Sequence, residues 1–379
     1  MTIELKEVIS HGDLREFIRF PLELYKNNPY YVPQLSGDEM NTLRRDKNAA
    51  FDHCPARYWM AYKNGRPAGR IAGILNRLHI QTWGQYYLRF GWVDFIDDAE
   101  VSAALFNRVE SWAAELELKA VHGPLGFTDM DREAMLVEGF DEPGTLAAIY
   151  NYPYYPVHLE RMGYVKDVDW VEYQIQVPTQ KMEKLEAVSA LVQKRCHLRL
   201  ADVRNKKELV PYIPKIFDLL NTAYKELYGV VALTPKQIEQ YVEQYFGFIH
   251  PDFVPLVVDE QDQLVAFAIT MPSLTKALQK ARGRLLPFGF IHLLSALKWN
   301  DLGDLYLVAV QPEYQGKGVN SILMSRLIDV FQKYGIRQAE SNPELETNLL
   351  VQGQWKHFET RQHKRRRVYI KHLSAGVTK

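Results

Sequence analysis

Residues 305–320 read Leu-Tyr-Leu-Val-Ala-Val-Gln-Pro-Glu-Tyr-Gln-Gly-Lys-Gly-Val-Asn. An apolar strand runs into a turn with two glycines, and a helical pattern follows at once. The chemistry this layout suits is the holding of a phosphate-bearing ligand. Backbone N–H groups at a helix start have no intrahelical acceptor and carry partial positive charge, and glycine lets a pyrophosphate come close to them. Gln315, Gly316, Lys317, Gly318, Val319 and Asn320 form the expected cradle. The Lys317 side chain is expected in solvent, since backbone groups do the binding. A plain strand-to-helix connection is the alternative, and the surrounding elements weigh against it.

Those elements are regular. Helical periodicity covers about Glu208 to Leu227, with Ile213, Ile216, Phe217, Leu220 and Tyr224 on one stripe. Thr234-Pro235-Lys236-Gln237 opens the next helix with Thr as N-cap and Gln as its capping-box partner. Phe253 to Val258 and Leu264 to Thr270 predict two strands around a turn, and an insertion from Pro272 to Trp299 precedes the glycine-turn strand. After the turn, Leu323, Leu327, Val330, Phe331 and Tyr334 mark a buried helix face, and a strand follows from Ile336 to Ser341. The first half repeats this order, from a strand at Ile3 to Ile9 through a helix with Val101, Leu105, Val109, Trp112 and Leu116 on one face to a strand at 120–123. Two mixed α/β units are expected, over 1–178 and 197–379, joined by 179–196, although no residue-level repeat is visible.

Bulk properties bound the function. The 379 residues suit two domains and 47% of them are hydrophobic, so sizeable cores are available. Lys plus Arg and Asp plus Glu number 46 each, which gives no global argument for nucleic acid or an anionic membrane. Two cysteines, Cys54 and Cys196, are too few for a disulfide framework, and the histidines show no metal spacing. The start lacks an apolar signal core and no apolar run reaches membrane-spanning length, so a cytoplasmic protein is the expectation.

With these residues in place, the second half resembles the GCN5-related N-acetyltransferase (GNAT) superfamily over about 197–372. The family's pyrophosphate motif, Gln/Arg-x-x-Gly-x-Gly/Ala, corresponds to Gln315–Asn320, and Val310-Gln311-Pro312-Glu313-Tyr314 looks like the usual lead-in. The resemblance implies a mixed sheet, splayed where acyl-CoA inserts, in two tandem copies of the fold with the N-terminal one degenerate. It implies that Val308, Ala309 and Val310 offer strand edge to the pantetheine amides. Asn348, Val351 and Trp355 stand where the family commonly has Asn, Ala and Tyr. That Tyr often protonates the departing thiolate, whereas an indole has only an N–H to donate. In the first half the turn equivalent is Phe95-Ile96-Asp97-Asp98-Ala99-Glu100, whose carboxylates would repel a pyrophosphate. The tandem arrangement is similar to that of N-myristoyltransferases, of peptidoglycan-building aminoacyl transferases and of bacterial tandem acetyltransferase-like proteins.

The implied activity is transfer of an acetyl or other acyl group from acyl-CoA to the amine of a small molecule or peptide, without a metal. An acyl-CoA sensor or scaffold without turnover is the alternative. Amine acylation needs a base and a proton for the thiolate. Glu340 is the candidate base and Tyr306 the candidate acid, each with an ordinary structural role as its alternative. Asp129 and Glu138, in a long loop of Gly, Pro and carboxylates, are candidate acceptor-binding residues. Tyr150 to Tyr155 reads as a binding wall or as packing. The apolar insertion Gly283 to Leu297, flanked by Lys280, Arg282, Arg284 and Lys298, reads as a lid or membrane-contacting helix, or as a packed helix. The basic run Arg361 to Arg367 is expected as a solvated loop before a strand, with no nucleic acid partner.

Overall fold

Local chemistry sets the element ends. Thr234 accepts from the Gln237 N–H at 3.4 Å and the Gln237 side chain accepts from the Thr234 N–H at 2.9 Å, so the helix Pro235–Tyr245 begins on a complete capping box. The same device, made by Ser10 and Asp13, starts the helix His11–Leu24. The predicted strand from Ile3 therefore ends at Glu7, before this cap, and Ile9 is left exposed.

The computed structural model describes residues 2–373. They form two compact units: one holds the chain up to Val171, Thr275–His292 and the chain from Lys364, and the other holds Glu172–Leu274 and Leu293–His363. In the first unit, β1 (Ile3–Glu7), β2 (Ala56–Lys63), β3 (Arg66–Ile74) and β4 (Tyr87–Phe95) pair antiparallel in sequence order, and β5 (Ala120–Gly123) lies parallel to β4. The short β6 (Met135–Glu138) follows, and β7 (Val165–Gln176) leads out of this unit. The second unit repeats the plan. Here β8 (Arg199–Leu200), β9 (Leu256–Val258), β10 (Leu264–Pro272) and β11 (Leu302–Val310) pair antiparallel, and β12 (Gln338–Ser341) lies parallel to β11. Then come β13 (Glu344–Leu345) and β14 (Thr360–His372). In each unit a helix, Ala99–Glu115 or Asn320–Tyr334, makes the crossover that a parallel pair requires.

In each unit the strand paired beyond the parallel pair comes from the other half of the sequence. In the first unit β5 pairs antiparallel with the end of β14, from Tyr369↔Gly123 to His372↔Ala120. In the second, β12 pairs with the end of β7, from Gln338↔Gln176 to Glu340↔Gln174. Residues 179–196, read as the join, contain the helix Glu183–Cys196, and its Val192 enters the second unit's core.

The predicted helix faces are the cores. Val101, Leu105, Val109 and Trp112 are buried with Phe90, Phe95 and Phe106 in the first unit, whereas Leu116, one residue past its helix, is exposed. Leu323, Leu327, Val330 and Phe331 pack with Val265, Ala266 and Ala268 in the second. Tyr150 and Tyr155 are core residues. Tyr155 and Tyr25 share a hydroxyl contact of 2.7 Å, and Tyr25 donates to Asp94, which also accepts from Arg70 at 2.7 Å.

The basic run is not a loop. Residues 360–372 are strand throughout, with His363, Lys364 and Arg366 buried. Arg367 donates to both oxygens of Asp169 at 2.8 and 3.0 Å, and Arg365 lies 3.3 Å from Asp169 and from Glu138. Carboxylates distant in sequence neutralise the run, which a one-dimensional reading of its charge cannot show.

Candidate active site

The second sheet opens at a defined place. β11 and β12 pair from Leu302↔Gln338 to Leu305↔Ser341 and then part, while β11 stays on β10 as far as Val310↔Ala266. Asn342 stands at the fork, its backbone N–H donating to Leu305 O at 3.0 Å and its side chain to Tyr306 O at 3.2 Å. Ile269 pairs with Leu307 and Thr270 with Leu305, so Tyr306 is the extra residue of a β-bulge at the point of opening. Bulges bend a strand and re-aim side chains. Further along, Tyr224 donates to Val308 O at 2.9 Å.

The glycine turn follows. Pro312–Tyr314 makes one 3₁₀ turn, Gly316 and Gly318 have φ of +72° and +85°, and the helix begins at Asn320. Val319 is buried in the core and holds the turn down. Among the described residues, the N–H groups of Gly316, Gly318, Val319 and Asn320 donate to no protein acceptor. Four unused donors at a helix start are groups able to donate to an anion. Lys317 is exposed, with its ammonium 5.3 Å from the Tyr314 ring. The Asn320 side-chain Oδ1 is buried with no partner among the described residues. The first unit's counterpart is closed on itself: Asp98 accepts from the N–H groups of Glu100 and Val101 and pairs with Lys63, while Asp97 lies 2.9 Å from His158.

Several acid–base groups border the opening. Asp304 on β11 stands opposite Glu340 on β12 and accepts from the Tyr306 hydroxyl at 3.0 Å. Burial, then the Asp304 charge, hold the Tyr306 phenol well above its ordinary range. Glu340 Oε1 lies 3.5 Å from His363 Nε2. Glu172, Glu340 and His363 are all buried and bring one donor atom each within 4.8 Å of one another, a set that could hold a divalent cation. Their positions on β7, β12 and β14 explain why no ligand spacing appears in the sequence.

Sequence reasoning missed Glu344. Its Oε1 accepts from Trp355 Nε1 at 2.8 Å, and its Oε2 is buried with no partner among the described residues. Burial pushes its carboxyl up to about 7, against the opposing hydrogen bond from Trp355. Tyr224 was also missed; burial pushes its phenol up to about 12, and the Glu344 charge adds to the shift. Asn348 caps the short helix Leu349–Gln352, accepting from Val351 N–H at 3.4 Å. Asp129 and Glu138 belong to the first unit. Glu138 ends β6 beside Arg365, and Asp129 adds its charge to Asp131, whose carboxyl burial pushes up to about 6.

Residues 213–348 match the Acetyltransferase (GNAT) family model. The whole chain also aligns with the solved tandem GNAT protein from the clavulanic acid biosynthesis pathway, over 98% of this chain and 100% of that one, with a TM-score of 0.59 at 12% identity. The chain has the tandem GNAT fold, and its residues 213–348 match the GNAT family. Two curated relatives match the chain along nearly its full length. Protein YghO of Escherichia coli (strain K12) is 28% identical over 376 residues, covering 97% of this chain and 95% of its own. The bacterial ceramide synthase of Caulobacter vibrioides (strain NA1000 / CB15N) is 24% identical over 374 residues, covering 96% and 95%. No helix among the described residues is long and apolar enough to cross a membrane.

Proposed function

We propose that the protein is an N-acyltransferase that moves an acetyl or longer acyl group from acyl-CoA to an amine. The observation that carries this reading is the adjacency of the β11–β12 opening and the glycine turn with its four unused N–H donors. In this reading the backbone of Gln315–Asn320 holds the pyrophosphate, and the Val308–Val310 edge guides the pantetheine toward the fork at Tyr306. The amine attacks the thioester carbonyl directly, the C–S bond breaks as the amide forms, and the thiolate takes a proton.

Glu344 is the proposed base. A carboxyl poised near 7 can accept a proton from an ammonium and release it again at neutral pH. Glu340 and Tyr306, on the strands that part, are the second acid–base pair to test. One full-length relative is named for ceramide synthesis. A ceramide is the amide of a long-chain amine, which supports a lipid amine as one acceptor class.

A second reading is an acyl-CoA sensor without turnover. It is favoured by Trp355, a buried indole where the family often has a tyrosine. Calorimetry with acetyl-CoA and longer acyl-CoAs, followed by a thiol-release assay over short and long-chain amines, separates the two. Amine-dependent CoA release supports the transferase, and tight binding without release supports the sensor. Absence of CoA binding overturns both.

A further inference from the structure

The insertion ahead of β11 has a composition unlike the rest of the chain. Residues 263–300 contain no Asp or Glu, although the whole sequence is charge-balanced, and they carry Lys276, Lys280, Arg282, Arg284 and Lys298. All five are exposed, and among the described residues no carboxylate pairs with Lys280, Arg282, Arg284 or Lys298.

The same segment exposes its apolar side chains. Leu286, Phe288, Leu294 and Trp299 are 60–76% exposed, and Leu285, Phe290 and Ile291 are exposed with them. On the helix Gly289–Lys298, Phe290, Ile291, Leu294 and Lys298 fall within an arc of about 100° at 3.6 residues per turn. Leu293, about 110° round the helix from the centre of that arc, is buried. The helix thus shows water the face that a globular helix normally hides.

The base of the segment is fixed. Thr275 donates to Gly144 O at 3.1 Å, Gln279 to Pro29 O at 2.7 Å, and the Ser36 N–H donates to Gly283 O at 2.9 Å. A ten-residue helix is about 15 Å long, half of what a bilayer core needs, so the segment cannot span.

We propose that residues 280–299 are a docking surface for an anionic lipid bilayer. Phe288, Phe290, Ile291 and Leu294 enter the headgroup–acyl boundary, Trp299 sits at its edge, and the basic rim meets lipid phosphates. Charge decides against a second copy of the chain as the occupant. A two-fold contact through this face would bring Arg282, Arg284 and Lys298 against their own copies without a carboxylate to separate them. The proposal rests on this surface alone and stands whichever amine is acylated.

Flotation of the full chain with extruded vesicles tests it. One set is phosphatidylcholine, and the other adds a quarter of phosphatidylglycerol. Binding is expected to the second set at least roughly tenfold above the first, and to fall steeply at high salt. The Phe288→Ser/Leu294→Ser variant should lose about tenfold in binding to anionic vesicles. Arg282→Gln/Arg284→Gln should lose the anionic preference, and it leaves the apolar face intact if the first variant is poorly folded. Brominated lipid should quench wild-type fluorescence more than that of Trp299→Phe. The proposal is overturned by absence of vesicle binding, by binding that neither variant alters, or by a dimer in sedimentation velocity that the apolar variant abolishes while vesicles bind nothing.

Discussion

Glu344 couples a carboxyl poised near neutrality to one indole hydrogen bond, and this fixes the direction of its pH effects. Its folded value, about 7, lies above the ordinary 4.5. Below about pH 4.5 the group is protonated in both states. Between there and pH 7 the unfolded chain gives up the proton while the folded one keeps it, so stability falls as pH rises through that window, by about 3 kcal/mol in all, and levels off above it. Glu344→Gln keeps an acceptor for Trp355 and never ionises. It should match or exceed wild-type stability in denaturant melts at pH 8, yet lower the acylation rate about 10²-fold or more. A variant with wild-type turnover would remove Glu344 from the reaction. Trp355→Phe deletes a hydrogen bond that opposes burial, so the rise of kcat/KM with pH should move to higher pH. None of this was legible in the sequence, because burial sets the shift and the indole stands well along the chain. The glycine turn was legible, since glycine types and spacing are themselves the signal.

At the scale of elements, the turn and the strand before it work through backbone conformation. Gly318 has φ +85°, and a Cβ there would meet Val192 Cγ2 at 3.1 Å; Gly316 has φ +72° and open space around it. Gly318→Ala should therefore cost about 1–2 kcal/mol in thermal melts and weaken CoA binding in calorimetry. Gly316→Asn, which tolerates the left-handed region, should be milder in both. Equal effects would contradict this account of the turn. Strands and helices were readable where one face is buried, as in the helix with Leu323, Leu327 and Phe331. The run from Arg361 was misread because alternation of buried and half-buried cations looks like a polar loop until Asp169 is placed beside Arg365 and Arg367. The insertion was readable as apolar and basic, but its exposure was not.

For the whole molecule, the tandem plan could be read from element order, whereas the source of each closing strand could not. Pairing between β5 and β14, and between β12 and β7, joins residues far apart in the chain, and period-2 patterning carries no information about partners. Fragments 1–178 and 179–379 should each be poorly folded when made alone, since the first unit lacks β14 and the second lacks β7. Made together, they should restore the native circular dichroism and a cooperative melt. Two independently stable fragments would refute the exchange. The exchange also sets a timetable for synthesis. Gly123 leaves the ribosome about 250 residues before its partner Tyr369. At about 5–20 residues per second, the edge of β5 waits on the order of tens of seconds for its closing strand. During that interval the nascent chain presents an open template for wrong pairing, and a chaperone that shields it would set the yield of native protein.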